Sequence, residues 1–277
     1  MNKEGKYVDF TSASLKLTAA CIFGWYLFNV AFHYPYLSLL WGESNVFWRG
    51  SVRSGIVENF VYHLLYAPRN ASSVISIHII SASLGIFSFR YVGLFRFIAW
   101  FSGWMLYLPA HDIFDSGMLV IQSFAFLLIF HQTGKDMLSS EINAMLRWSL
   151  IAVLIMGYVA SAAFKLSGTQ WWEGTAFYYS MHLEYLTGSD NPFVRLAQNI
   201  WLSKLFTWGS FLYQLLFPVI IFWKRYAVKW ILLGVSFHLM TIVFYHLWGF
   251  AFAMIASYCI IIPEHWARRV KIKAVRE

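Results

Sequence analysis

Charge is what this chain has least of. Asp, Glu, Lys and Arg together make up 12% of its 277 residues, about half the share found in soluble domains. With 59% hydrophobic residues and a mean hydropathy of +0.57, almost no polar sequence remains from which to build a water-soluble fold. Cysteine is also scarce. Cys21 and Cys259 both lie inside apolar runs, and neither spacing nor neighbours suggest a metal site or a redox pair, so both read as inert buried thiols. The sequence contains no 20–50-residue repeat and no low-complexity segment. A phosphate loop, a zinc-ligand spacing and a serine-nucleophile elbow are missing as well. The stretch Met1–Phe10 is polar and lacks a small-residue cleavage site after it, which argues against a removable signal peptide.

What is abundant is apolar sequence in membrane-length runs. A spanning helix needs about 20 mostly apolar residues, and the runs at roughly 15–34, 71–89, 91–108, 113–131, 147–166, 205–223, 228–247 and 249–263 qualify. The predicted fold is therefore an all-α polytopic membrane helix bundle of about eight transmembrane helices. Residues 1–14 precede it and a basic tail, 264–277, follows, suited to lie against anionic headgroups or to anchor the topology. Pro218 should kink the sixth span, because its ring removes a backbone hydrogen bond. Aromatic residues reach 20%, as interfacial Trp and Tyr belts require.

The net charge of +8 is unevenly placed. Eight spans put fifteen basic residues on the side of the termini, among them Lys3, Arg90, Arg96, Lys135, Arg147, Lys224 and Arg268, and six on the other, among them Arg49, Lys165 and Lys204. That bias predicts cytoplasmic termini in the cell membrane and argues for lipid rather than nucleic acid as the partner of the positive charge. The long loops, 35–70 and 167–204, then lie on the outer side, where recognition is expected.

The most informative stretch is Tyr158-Val-Ala-Ser-Ala-Ala-Phe-Lys165-Leu-Ser-Gly168-Thr-Gln-Trp171-Trp172-Glu173-Gly174. An apolar helix runs into a lysine, and a charge at bilayer depth costs about 2.5–3.5 kcal/mol. Two readings stand. Lys165 snorkels to the interface, or it is a desolvated amine able to act as a general base near neutral pH. Gly168 and Gly174 permit sharp turns, and Trp171 and Trp172 offer flat apolar surface for a ring-shaped ligand or belong to the aromatic belt. Glu173 and Glu184 could orient the lysine or be solvated.

A second cluster, Pro109-Ala-His111-Asp112-Ile-Phe-Asp115, places His111 and Asp115 one helical turn apart, as a polar pair or as helix-capping residues. His78, Gln214, His238 and His246 lie deeper in the spans, where interhelical hydrogen bonding competes with ligand binding as their role.

Lys165-Leu-x-Gly168-x-x-Trp171-x-x-Gly174-Thr-Ala176, followed by Leu215-Leu-Phe-Pro218 and by Gly234-Val-Ser-Phe-His238, resembles the HTTM domain. That family groups bacterial membrane proteins with the membrane portion of vitamin K-dependent γ-glutamyl carboxylase, and the likeness runs from about His111 to Pro263. The chain departs from it at Gln170 and Gln214, where acidic residues are frequent, and it lacks the large lumenal region of the animal carboxylases. The resemblance implies that Lys165 deprotonates a reduced quinone, a vitamin K hydroquinone-like cofactor, whose reaction with oxygen yields a base strong enough for the γ-hydrogen of a peptide glutamate. Carbon dioxide then adds at that carbon, in lyase-type carbon–carbon bond formation. Trp171, Trp172, His238 and His111 would line the cofactor site. The alternative reading is a non-catalytic membrane subunit that assists maturation or export of a secreted peptide with a soluble partner protein.

Overall fold

The computed structural model describes residues 10–36, 40, 68–87, 89–107, 116–134, 136–188, 191–223 and 225–261. Among these every regular element is helical and there is no strand. The longer helices are α1 (Phe10–Phe32), α2 (Pro68–Ile86), α3 (Val92–Tyr107), α4 (Gly117–Leu128) and α5 (Met137–Leu166). Four short helices follow, α6 (Thr169–Glu173), α7 (Ala176–Met181), α8 (Glu184–Thr187) and α9 (Val194–Ala197). The chain then forms α10 (Ile200–Ile220), α11 (Ala227–Tyr245) and α12 (Trp248–Ser257), the last extended by a 3-10 turn over Tyr258–Ile260.

Three helices are long and apolar enough to cross a membrane: Thr11–Phe32, Met137–Leu166 and Ala227–Tyr245. They indicate a membrane protein. Exposed Leu232, Leu239 and Val243 line one flank of α11, and exposed Trp201, Leu205, Trp208 and Leu212 one flank of α10. Those faces suit hydrocarbon rather than water. The helices fall where the apolar runs predict them, with α5 beginning ten residues earlier than the run at 147. Pro218 lies in the last turn of α10, which ends at Ile220.

The chain divides into two compact units, Met1–Leu150 and Ile151–Glu277. In the first, α1, α2, α3 and α4 pack against one another around polar pairs placed inside an apolar core. Tyr26 Oη donates to Gln122 Oε1 at 2.9 Å, and His78 Nδ1 meets Ser102 Oγ at 2.8 Å. Arg96, counted from sequence with the cations of the cytoplasmic side, is wholly buried within α3. Its Nε donates to Gly85 O at 3.0 Å, and its Nη1 to Leu128 O at 3.1 Å and to His131 Nδ1 at 3.0 Å. Gly85 and Leu128 end α2 and α4, so two helix C-termini offset the buried positive charge.

In the second unit the α6–α9 segment is tied onto the flanking helices. Phe177 N donates to Thr207 Oγ1 at 2.9 Å, and Asn191 Nδ2 to Phe244 O at 2.8 Å. Phe177, Met181, Ala197 and Phe244 bury together. Asn199 caps α10 by accepting from the backbone N–H groups of Trp201 and Leu202, satisfying two of the four donors that a helix start leaves open.

Candidate functional site

Lys165 lies in the last turn of α5, and the chain folds back on it at once. The helix closes with Gly168 N donating to Lys165 O at 3.2 Å, and α6 opens with Trp171 N donating to Gly168 O at 3.1 Å. Gly174 ends α6 at φ 75, where its N–H reaches Gln170 O. A side chain there would be strained by the backbone and would meet Lys204 and Trp208, so the turn needs glycine. Within this reversal Trp172 Nε1 donates to Leu166 O at 2.9 Å, and Trp208 Nε1 to Trp171 O at 3.0 Å. The carbonyls freed at the helix end are thus partly satisfied by indoles.

The reversal sets the Lys165 ammonium 4.7 Å from the centroid of the Trp171 ring. Nζ donates to Ser161 Oγ, one turn back, at 2.9 Å, and Ser161 Oγ donates to Gln214 Oε1 of α10 at 3.0 Å. No carboxylate among the described residues pairs with it. Glu173 and Glu184 are exposed, so neither orients the amine here.

Lys165 and Trp171 stand on the wall of a cavity of about 490 Å³, together with nine hydroxyl- or amide-bearing side chains, Ser161, Tyr213, Gln214 and Thr241 among them, and apolar side chains such as Phe206 and Phe250 that supply most of the exposed wall. Lys165 is the one basic group among the described residues of this wall. The volume falls in the range of small-molecule sites, and a mostly apolar wall with a few polar groups is their usual make-up. A second cavity of about 340 Å³ shares Lys165 and Trp171 and is completed by Leu166, Trp172, Trp208, Phe211 and Leu212.

Behind Tyr213 lies a buried polar cluster that sequence reasoning did not foresee as a set. Tyr258 Oη meets Tyr213 Oη at 2.8 Å and His238 Nε2 at 3.0 Å, and Tyr158 Oη meets His238 Nε2 at 2.9 Å. The Tyr158 and Tyr258 hydroxyls also touch. Tyr158 stacks on Phe217 at 4.0 Å and Tyr213 on Trp230 at 5.3 Å. Gly234 makes room for it: a Cβ at this position would run into the hydroxyls of Tyr213 and Tyr258. The His238 Nδ1 atom is buried without a hydrogen-bond partner.

The five residues singled out from sequence separate as follows. Lys165 and Trp171 come together on both cavities, and Trp172 borders the smaller one. His238 sits in the tyrosine cluster, with Tyr213 as its link to the main cavity wall. His111 lies outside the described residues, as do Asp112 and Asp115. His246 is an exposed left-handed cap at the end of α11. The residues missed are Ser161, Tyr158, Tyr213 and Tyr258. Ser161 was within reach of sequence reasoning, since it stands four residues before the lysine and so shares its helix face.

No protein-family model, no curated protein and no solved structure matches the chain.

Proposed function

We propose that this chain is a multi-pass membrane enzyme that binds a quinol and uses Lys165 to take a proton from it, in a γ-carboxylase-like reaction on a peptide glutamate. The observation that carries the reading is the amine itself: Lys165 faces a cavity of about 490 Å³ with mostly apolar walls, lies under an indole ring, and has no carboxylate partner among the described residues. An amine so placed can approach the hydroxyl of a flat aromatic ligand, and the Trp171 face suits such a ring.

The residues present fit a reduced quinone. The cavity is large enough for a two-ring head, its wall is apolar enough for the ring, and Ser161, Gln214 and Tyr213 supply polar atoms beside Lys165. A reduced quinone bound there would supply, through its reaction with oxygen, the strong base that a glutamate γ-carbon requires. Ser161 holds the amine toward the cavity, and Gln214 Oε1 fixes Ser161 by accepting a hydrogen bond from its hydroxyl. In this reading eight helices, α1 to α5 and α10 to α12, cross the bilayer with both termini cytoplasmic. The fifteen-to-six distribution of basic residues supports that orientation.

The test is quinol binding to the detergent-solubilised protein, followed by tryptophan fluorescence under anaerobic reducing conditions. Wild type should show saturable quenching, and Lys165→Met should weaken binding tenfold or more, to about the cost of an unpaired buried hydroxyl. Equal binding by both proteins would remove Lys165 from the site. No binding by either would favour a maturation subunit without chemistry of its own.

A further inference from the structure

The buried cluster behind Tyr213 takes no part in the proton transfer at Lys165. Tyr158 of α5, Tyr213 of α10 and Tyr258 at the end of α12 converge there with His238 of α11. One arrangement of protons satisfies every hydroxyl. Tyr213 and Tyr158 donate to Tyr258 Oη, which has lone pairs for both, and Tyr258 donates to His238 Nε2 at 3.0 Å. The imidazole is then neutral, with its proton on Nδ1 and a basic nitrogen turned toward the phenols. Of the three phenols Tyr213 also stands on the wall of the larger cavity. Its ring stacks on Trp230 at 5.3 Å, and the indole Nε1 of Trp230 is buried without a partner. Structural hydrogen bonding alone calls neither for a phenol that faces the cavity nor for an indole stacked on it.

We infer that this cluster is a redox-active site, which gives an electron to an oxygen-centred radical in the cavity and holds the resulting hole on Tyr258, with the phenol proton on His238. A phenol that loses an electron becomes a strong acid, so its oxidation is easy only where a base takes the proton in the same step. Tyr213 loses the electron first, since it faces the cavity, and is refilled from Tyr258 across their 2.8 Å contact. At Tyr258 the O–H bond breaks, an N–H bond forms at His238 Nε2, and a neutral phenoxyl remains. The oxidant is of the lipid peroxyl class. With one electron it becomes the hydroperoxide anion, which takes a proton from water. An electron from a thiol or ene-diol reductant later restores the pair, as the proton on His238 returns to Tyr258. Trp230 sets the direction. Its N–H has no acceptor, so an oxidised indole there keeps its proton and takes an electron back from Tyr213. Holes therefore run toward Tyr258 from the indole as well as from the cavity. Lipid is the source of radicals that the surroundings offer, because α10 and α11 carry the cavity wall and also expose apolar flanks. This role goes beyond the quinol reading and does not depend on it, since the electron leaves the protein and not a bound cofactor.

The test is one-electron oxidation of the detergent-solubilised full chain by azide radicals from a radiolysis pulse, with no quinol present. Azide radicals oxidise indoles first. In wild type the absorbance of the tryptophanyl radical should give way to that of a tyrosyl radical, at a rate independent of protein concentration. Samples frozen after the pulse should hold that radical in electron paramagnetic resonance. In protein carrying isotope-labelled histidine it should show coupling to an imidazole nitrogen. His238→Gln keeps a hydrogen-bond acceptor for the phenols but no base, so the long-lived tyrosyl signal should be lost there. Tyr179→Phe removes an exposed phenol outside the cluster and should keep the signal. An undiminished signal in His238→Gln overturns the inference, as does a wild type whose tryptophanyl radicals decay without a tyrosyl product. Loss of the signal in Tyr179→Phe would place the radical at the surface and overturn it as well. If His238→Gln fails to fold, the label decides on wild type alone, and a tyrosyl radical without histidine coupling overturns the inference. None of these outcomes bears on quinol binding by Lys165→Met, so the two readings stand or fall separately.

Discussion

The ammonium of Lys165 lies 4.7 Å from the centroid of the Trp171 ring, six residues further along the chain. A cation over an indole face gains about 0.5–1 kcal/mol at an exposed site and more when water is excluded. The contact therefore holds the amine in place without neutralising it, as an aspartate or glutamate would.

Replacing Trp171 should expose that role. Quinol affinity is expected to fall in the order Trp, Phe, Ala, with Trp171→Phe weaker by about 2–5-fold, because phenyl offers a smaller and poorer face to a cation. Titration of the three proteins with the same quinol decides it. Equal affinity across the series would mean that the ring has no part in the site.

The buried hydroxyls make a rank-order prediction. Tyr258 Oη meets Tyr158, Tyr213 and His238, whereas Tyr213 Oη meets the hydroxyls of Tyr258 and Tyr158 and, within the cluster, does not reach His238. Tyr258→Phe should destabilise by about 1–3 kcal/mol, since it strips partners from several buried polar atoms, and Tyr213→Phe by about 1 kcal/mol. Gly234→Ala should be at least as damaging as Tyr258→Phe, because its methyl displaces two hydroxyls at once. Thermal melts in a single detergent give the order, and a Gly234→Ala protein that melts with wild type would contradict the packing described here.

These contrasts explain what could be read from sequence. Lys165 stood out because a charge at the end of an apolar run is costly, and Trp171 because glycines on either side announced a reversal. Both signals are local, within ten residues. Tyr158, Tyr213 and Tyr258 are separated by 55 and 45 residues and lie in stretches where an aromatic residue is unremarkable, so only the packing of α5, α10 and the end of α12 brings their hydroxyls together. His238 was visible as a polar residue in a span, but its partners were not. Arg96 is legible in sequence only as a basic residue at the start of a span on the side of the termini, and its burial is not: two of its three acceptors are backbone carbonyls, which leave no mark in sequence. Helix positions were legible from hydropathy, whereas the early start of α5 was not, because residues 137–146 are polar enough to resemble a loop.

Arg96 gives a prediction for the first unit. Its guanidinium reaches Gly85 O, Leu128 O and His131 Nδ1 together, a spread that a lysine ammonium on a single point cannot reproduce. Arg96→Lys and Arg96→Met should both lower stability, by about 2–4 kcal/mol, and with it the melting temperature, as buried carbonyls lose their donors. Retention of wild-type stability by Arg96→Lys would show that one contact suffices.

The start of α5 should respond to acid. Asp136 Oδ1 accepts from Ser139 Oγ at 2.6 Å, and Oδ2 accepts from Ser139 N at 3.2 Å. The Ser139 hydroxyl first, and its backbone N–H second, hold the carboxyl below its ordinary value of 3.8. A carboxyl whose folded value is depressed contributes stability in full above its unfolded value and loses it as pH falls through the folded one. Asp136→Asn keeps an acceptor oxygen at the cap but cannot ionise. Between about pH 5 and about pH 3 the melting temperature of wild type should therefore drop further than that of Asp136→Asn. Taking the difference between the two proteins removes the contribution of every other carboxylate. Parallel pH profiles would show that the Asp136–Ser139 contacts add nothing to stability, and a wild type that gains on Asp136→Asn in acid would reverse the sign assigned to the cap.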